Sequence, residues 1–241
     1  MEILGIHSII TIGKAGLNVV VPILSHFSHT VLPLPTCSLS SLPVGYGDYK
    51  KTDLTQQMRG AAKHFKRIGK KFDFIYSGYL ANAEQAEVVL DIVSDNPQAK
   101  YLCDPVLGDN GKLYSSFDED MITAMKQLAK NADIITPNFT ESQLLGNLDD
   151  LCKCWAITSY PKKDNENLDI LCSLEGVHNL IEGEYMPSNI HGTGDAFASF
   201  VIAYGLEGNS FYESSKLAMN AVKTIIGGEG SLQLEENLNK V

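Results

Sequence analysis

The pentapeptide His191-Gly192-Thr193-Gly194-Asp195 and the apolar run that follows it over 196–206 carry the densest chemical signal in this chain. Glycines on either side of Thr193 permit a tight backbone turn, and the apolar run predicts a helix opening at about Gly194. A turn at a helix start points free backbone N–H groups outward. With the positive end of the helix dipole they suit an anion such as a phosphoryl group, and Asp195 sets a carboxylate at the edge of that site. A carboxylate is a poor phosphate ligand but a good proton acceptor. The pattern therefore fits phosphoryl transfer to a hydroxyl, with the amides of Gly192, Thr193 and Gly194 stabilising the transferred group while Asp195 takes the proton of the nucleophile. Alone, the string reads equally well as a surface turn before a helix whose first turn carries an acid.

A second segment, Cys103-Asp104-Pro105-Val106-Leu107-Gly108-Asp109-Asn110-Gly111-Lys112, adds weight to the chemical reading. A short apolar strand ends in Asp104, Pro105 forbids its continuation as a central strand, and Asp109 returns from a glycine-containing loop. Carboxylates there sit at the carboxyl end of a strand, where open α/β sheets bind ligands. Two of them beside a phosphate site are what Mg²⁺ requires, since it takes few protein oxygens and keeps several waters. A plain loop with Asp in turn positions is the alternative.

The elements that must position these residues alternate. Strands are predicted over 3–7, 30–35, 72–77, 100–103, 133–136 and 155–158, and helices over 15–27, 54–68, 83–93, 118–130 and 141–145. That alternation implies a mainly parallel sheet with helices on both faces, a three-layer α/β/α architecture. After residue 158 an antiparallel hairpin (170–173 and 177–181) is predicted, then helices over 196–206, 212–226 and, weakly, 232–238.

Composition sets the outer bounds. The chain has 241 residues, 44% hydrophobic and 20% charged, enough for one α/β core, and no linker divides it, so a single domain over 1–241 is expected. With 19 Lys and Arg against 29 Asp and Glu, the formal charge of −10 argues against a nucleic-acid or anionic-membrane surface. Five scattered cysteines suit a reducing cytosol, and Cys152-Lys153-Cys154 lacks a second pair and reads as packing. Glu2 stands where a secretory leader would be basic, and Asn18 and Pro22 break the apolar stretch 17–24, so a cytoplasmic, non-membrane protein is expected. The six histidines show no metal-ligand spacing, and no Walker-type loop is present, which leaves phosphate binding to residues 192–195. Lys14 and Lys112, near the two glycine-rich turns, read as solvated, with Lys112 in reach of a phosphate.

Taken with Thr136-Pro137-Asn138-Phe139-Thr140-Glu141, these segments resemble the pyridoxal kinase branch of the ribokinase-like superfamily, from about Ile3 to Ile226. Hydroxymethylpyrimidine kinases are close relatives, but their corresponding helix usually opens Gly-Thr-Gly-Cys, so Asp195 favours the pyridoxal kinase branch. The resemblance implies ATP-dependent phosphorylation of the 5′-hydroxymethyl group of a B6 vitamer, a homodimer, Mg²⁺ and a monovalent cation such as K⁺. Residue by residue, it implies that Ser8, Tyr79 and Asp195 contact the substrate. It assigns Asp109, Asn138, Glu141, Thr158, Ser159 and Thr193 to the nucleotide, and Asp104, Asp109, Glu141 and Thr136 to the cations. Each also has an ordinary structural reading: Ser8 as a strand-end hydroxyl capping a helix, Tyr79 as half-exposed packing, Asn138 with Glu141 as an Asn turn before an acidic first helical turn.

Two departures from the family pattern stand out. Only residues 146–154 follow the short helix before the strand at 155–158, so either the crossover is truncated or the sequence lacks residues there. At Ser40-Ser41-Leu42-Pro43-Val44-Gly45 the family usually has a His-Thr pair that helps hold the pyridine ring. Phosphorylation of hydroxymethylpyrimidine, or binding of a vitamin without catalysis, are the competing expectations.

Overall fold

In the computed structural model, which describes residues 1–161, 168–183, 190–227 and 231–241, the chain runs as β1 (Glu2–Ile12), α1 (Leu17–His26), β2 (Thr30–Ser41), β3 (Lys51–Asp53), α2 (Thr55–Arg67), β4 (Phe74–Ser77), α3 (Glu84–Ser94), β5 (Lys100–Cys103), β6 (Gly108–Asp109) and β7 (Lys112–Leu113). It continues through α4 (Glu119–Asn131), β8 (Ile134–Ile135), α5 (Phe139–Leu145), β9 (Cys154–Pro161), β10 (Leu168–Leu174), β11 (Val177–Ile181), α6 (Thr193–Leu206), α7 (Phe211–Ile225) and α8 (Leu234–Asn237).

β1 is an almost unbroken apolar run because it is buried on both sides, as parallel strands between two helix layers must be. It lies inside a nine-stranded sheet of order β11-β10-β9-β8-β5-β4-β1-β2-β3. The strands β2, β1, β4, β5, β8 and β9 run parallel, while at one edge β3 pairs antiparallel with β2 and at the other β10 pairs antiparallel with both β9 and β11. One core, with Val19, Val20, Ile23 and Leu24 of α1 and residues of α6 and α7, covers one face. The other holds Met58 of α2, Val88, Val89 and Ile92 of α3, and Met121 and Met125 of α4. The expected three-layer arrangement is therefore present.

Several local features differ from expectation. β1 and β2 run on to Ile12 and Ser41, and β3 pairs back against Cys37, Ser38 and Leu39, so Pro43 and Val44 lie in the exposed turn of an antiparallel edge, while Leu42 packs half-buried beside Ile10, Cys37 and Leu39. The loop after Asp104 contains a two-residue hairpin, β6–β7, turned by Asn110 (φ 52) and Gly111 (φ 75). Asn-Gly favours such a turn because both central residues need positive φ. The short crossover closes: α5 and a single 3₁₀ turn at Leu148–Asp150 bring the chain back so that Ile135 pairs in parallel with Trp155. All five cysteines are free and buried, and the Cys152 thiol donates to the carbonyls of Ala132 and Cys154, as a packing role requires. No helix is long and apolar enough to cross a membrane, and α1, with Pro22 inside it, has 10 residues.

α6 is apolar on every side and is buried from Asp195 through Ala203, as a helix of that composition must be. It opens at Thr193, one residue before the predicted start. Gly192, its N-cap, has φ 83, and a Cβ there would lie 2.4 Å from the carbonyl oxygen of Lys14. Gly194 is different: it is helical and exposed, and a Cβ there would meet nothing within 4 Å. Gly192→Ala should therefore lower the unfolding free energy by about 1–3 kcal/mol, whereas Gly194→Ala should raise it by about 0.5–1 kcal/mol by removing a helical glycine. Urea unfolding of the two variants checks this, and equal effects would contradict it.

Candidate functional site

Side chains alternate between the two faces of a strand. In β1, Ile3 packs into the α1/α6 core and Leu4 into the opposite one, so Gly5 and His7 share the face of Ile3. Gly5 confirms the face, since a Cβ there would meet Leu17 and Val20 of α1. The same alternation puts Tyr76 of β4, Asp104 after β5, Thr136 after β8 and Thr158 of β9 on that face, at the carboxyl ends of adjacent parallel strands. α6 ends its approach to this face at its N-terminus, where Asp195 lies.

Asp195 is 7% exposed. Its Oδ2 accepts the Gly16 N–H at 2.6 Å, and its Oδ1 lies 2.9 Å from His7 Nε2. The His7 contact is at ion-pair distance but off the line of a good hydrogen bond, so Nε2 has no aligned acceptor. Burial alone would push the Asp195 carboxyl up, but electrostatic attraction to the adjacent His7 ring and the Gly16 amide bond outweigh it and hold it below the usual carboxylate value. The first intrahelical bond of α6 runs from Ala196 N–H to Gly192 O at 2.9 Å, which leaves the N–H groups of Thr193, Gly194 and Asp195 without intrahelical acceptors. An ionised carboxylate and three helix-start amides without intrahelical acceptors thus lie within one turn of helix.

Three more carboxylates face the same space. Asp104, 4% exposed, accepts from Tyr76 Oη at 3.3 Å, and burial with the charges of Glu141 and Asp195 pushes its carboxyl well up. Glu141 is buried in a capping box: its Oε2 accepts the Asn138 N–H at 2.7 Å while Asn138 Oδ1 accepts the Glu141 N–H at 2.9 Å. Glu141 Oε1 accepts the Leu107 N–H at 3.1 Å, and Asn138 Nδ2 donates to Gly108 O at 2.8 Å, which ties the capped helix to the loop after Asp104. These amides favour the charged form, but desolvation wins and pushes Glu141 up to about 8. Asp109 is exposed and turns back onto its own hairpin, accepting the Asn110 N–H at 2.8 Å.

The remaining predicted residues take clear positions. Ser8 is buried; its N–H donates to His7 Nδ1 at 2.8 Å and its Oγ lies 3.2 Å from that nitrogen, so it caps no helix. Tyr79 is half-buried against Phe117, and its Oη accepts from Lys51 Nζ at 2.9 Å. Thr193 Oγ1 donates to Ile190 O at 3.3 Å. Thr158 bridges to Asn138, and Ser159, exposed, has φ 55. Thr136 Oγ1 is buried with no hydrogen-bond partner. Lys14 is paired at the surface with Glu235. Among the described residues no group of three or more His, Cys, Asp or Glu side chains is arranged to hold a metal by itself.

Residues 52–241 match the phosphomethylpyrimidine kinase family. The chain belongs to that family. Its curated relatives include a pyridoxal kinase of Corynebacterium diphtheriae, 34% identical over 154 residues that cover 60% of this chain and 53% of that protein. One of Rubrobacter xylanophilus is 24% identical over 267 residues, 97% of this chain and 91% of that one. The matched stretch thus spans about half the length of the Corynebacterium diphtheriae protein. Among solved structures, a Bacteroides thetaiotaomicron protein provisionally described as a phosphomethylpyrimidine kinase, crystallised with pyridoxal, is 30% identical with a TM-score of 0.92, covering 99% of this chain and 94% of that one. Within the family the fold is the ribokinase-like α/β fold, and the relatives bear out the resemblance to the pyridoxal kinase branch.

Sequence reasoning passed over four residues at this site: His7, Lys51, Tyr76 and Tyr114. Burial, with the charges of Glu141, Asp109, Asp195 and Asp104, pushes the Tyr114 phenol up. A polar His7 on the inward face of an otherwise apolar strand was the available signal for the first of them.

Glu141 generates a stability test. Its folded-state value, about 8 against 4.5, means that the native protein binds this proton more tightly than the unfolded chain. Stability contributed by that proton is present below the unfolded value and is lost as pH rises towards the folded one. Asp104 acts in the same sense, while Asp195, held low, acts in the opposite sense at acid pH. The melting temperature of chelator-treated protein should fall between about pH 5 and about pH 8.5, and Glu141→Gln should flatten that fall. Equal slopes for the variant and the wild type would show that Glu141 does not carry it.

Proposed function

We propose that this chain transfers the γ-phosphoryl group of ATP to the 5′-hydroxymethyl group of a B6 vitamer. The observation that carries the reading is the buried, ionised Asp195 in the first turn of α6, next to amides that no intrahelical acceptor satisfies. Asp195 takes the proton from the attacking hydroxyl, while the N–H groups of Thr193 and Gly194 donate to the oxygens of the transferring phosphoryl group. Open space in front of Gly194 supports a close approach there. Ser8 and Tyr79 line the substrate side, and Asn138, Glu141, Thr158 and Ser159 the nucleotide side.

Mg²⁺ and a monovalent cation such as K⁺ belong to the same reading. The donor set fits: carboxylates pushed towards protonation first by burial and then by neighbouring like charges gain from a nearby cation, and the unpartnered Thr136 Oγ1 offers a neutral oxygen. Since no metal-holding group of three acidic side chains exists among the described residues, Asp104, Asp109 and Glu141 would hold Mg²⁺ together with waters and phosphate oxygens. When bound, it neutralises charge on the ATP phosphates. A homodimer, which the family resemblance implies, and a cytoplasmic location, which the five free cysteines favour, complete the proposal.

The description of the family itself favours a second reading, phosphorylation of hydroxymethylpyrimidine or its phosphate. A coupled kinase assay separates them. Wild-type protein should phosphorylate pyridoxal and at least one other vitamer with kcat/KM values within about a hundredfold, because a site without the His-Thr pair has fewer polar contacts with which to discriminate. Turnover of hydroxymethylpyrimidine alone would transfer the chain to the second reading. In the same assay Asp195→Ala should lower kcat by roughly 10²–10⁴-fold with KM for ATP changed by less than about threefold. Near-normal turnover of that variant would remove Asp195 from the chemistry.

A further inference from the structure

His7 is a buried imidazole in the middle of a sheet, and two glycines are shaped around it. A Cβ on Gly78 would lie 2.0 Å from His7 Cδ2, and one on Gly16 would lie 2.9 Å from His7 Nδ1 and 2.4 Å from the carbonyl oxygen of Ser8. Gly78 follows the neighbouring strand β4, and its N–H bonds to Ile6 O at 2.9 Å, so the ring is seated by main chain on either side. Tyr76 lies alongside, with ring centroids 6.1 Å apart. His7 is 3% exposed, so neither nitrogen is satisfied by bulk water.

The hydrogen bonds select the tautomer. Nδ1 accepts the Ser8 N–H at 2.8 Å, which requires an unprotonated Nδ1 and puts the ring proton on Nε2. Nε2 is the atom 2.9 Å from Asp195 Oδ1. The other oxygen, Oδ2, is held by the Gly16 N–H at 2.6 Å. Each oxygen of Asp195 therefore meets one donor of the protein, from β1 and from the turn before α1, and keeps a lone pair for an incoming hydroxyl.

We propose that His7 is a positioning residue for the phosphoryl-transfer base: through Nε2–H it fixes the plane of the Asp195 carboxylate and directs its free lone pair at the acceptor hydroxyl. The inference rests on the kinase reading above and deepens it. It follows from the contact geometry and from the glycine seat, which would have no purpose for a histidine that merely filled space, because an apolar side chain would need neither the Nδ1 acceptor bond nor the Nε2 contact.

The test compares His7→Leu, His7→Gln and His7→Asn. A glutamine amide nitrogen reaches the place of Nε2, and an asparagine amide falls short of it. Kcat of the leucine variant should fall by about 10–100-fold, the usual effect of removing a partner that orients a reacting group, while KM for ATP and pyridoxal changes by less than about threefold. The glutamine variant should recover kcat to within about threefold of wild type and the asparagine variant should not. Long-range ¹H–¹⁵N spectra of wild-type protein should show the Nε2–H tautomer of His7. Wild-type kcat in the leucine variant, equal rescue by asparagine, or an Nδ1–H tautomer would each overturn the inference while leaving the kinase reading intact. If the leucine variant does not fold, the comparison of glutamine with asparagine and the spectra still decide. Absence of turnover by wild-type protein on every B6 vitamer and on hydroxymethylpyrimidine would overturn the kinase reading, and this inference with it.

Discussion

Burying like charges beside one another is the constraint around which this molecule is arranged. Asp104, Glu141 and Asp195 are all 7% exposed or less, and the charges of Glu141 and Asp195 bear on Asp104. Isolated burial of an ionised carboxylate costs many kcal/mol, so such groups either gain partners or take up a proton. The fold divides them between these outcomes. Asp195 receives His7 and the Gly16 amide and stays ionised; Asp104 and Glu141, with a phenol and backbone amides as their partners, are pushed towards protonation. One carboxylate thereby keeps its charge while the other two are biased towards the neutral form.

That division depends on the sheet. Six adjacent parallel strands bring their carboxyl ends to one edge, and the pleat aims His7, Tyr76, Asp104, Thr136 and Thr158 at the same side. α6 must then end close above them. Its approach is possible because the helix is apolar on all sides and can bury itself against α1 and α7, and because Gly192 lets the chain turn against the Lys14 carbonyl without a side chain between. The acidic chemistry at the helix start is thus anchored by apolar packing over the rest of its length.

Much of this was legible in the residues. The strand–helix alternation gave the layers, the Gly-Thr-Gly-Asp string located the helix start to within one residue, and Asp-Pro marked the strand end that presents Asp104. The structural alternative weighed for Asn138 and Glu141 is also realised, since the two form a capping box, and a capping role is compatible with a carboxylate that faces the site. Two local signals were available but unused: Asn110-Gly111, which turns a hairpin, and His7 on the inward face of β1. The short crossover looked inadequate by length alone. A seven-residue helix and one 3₁₀ turn suffice because β8 is only two residues long, so little distance must be recovered.

By itself, then, the sequence determined the periodicities, the turns and the chemical identity of the side chains, all properties of residues close together along the chain. Tertiary structure alone decided which carboxylate keeps its charge. Proton affinity depends on burial and on partners that are remote in sequence: His7 and Gly16 lie 188 and 179 positions from Asp195, and no local pattern reports a contact across that separation.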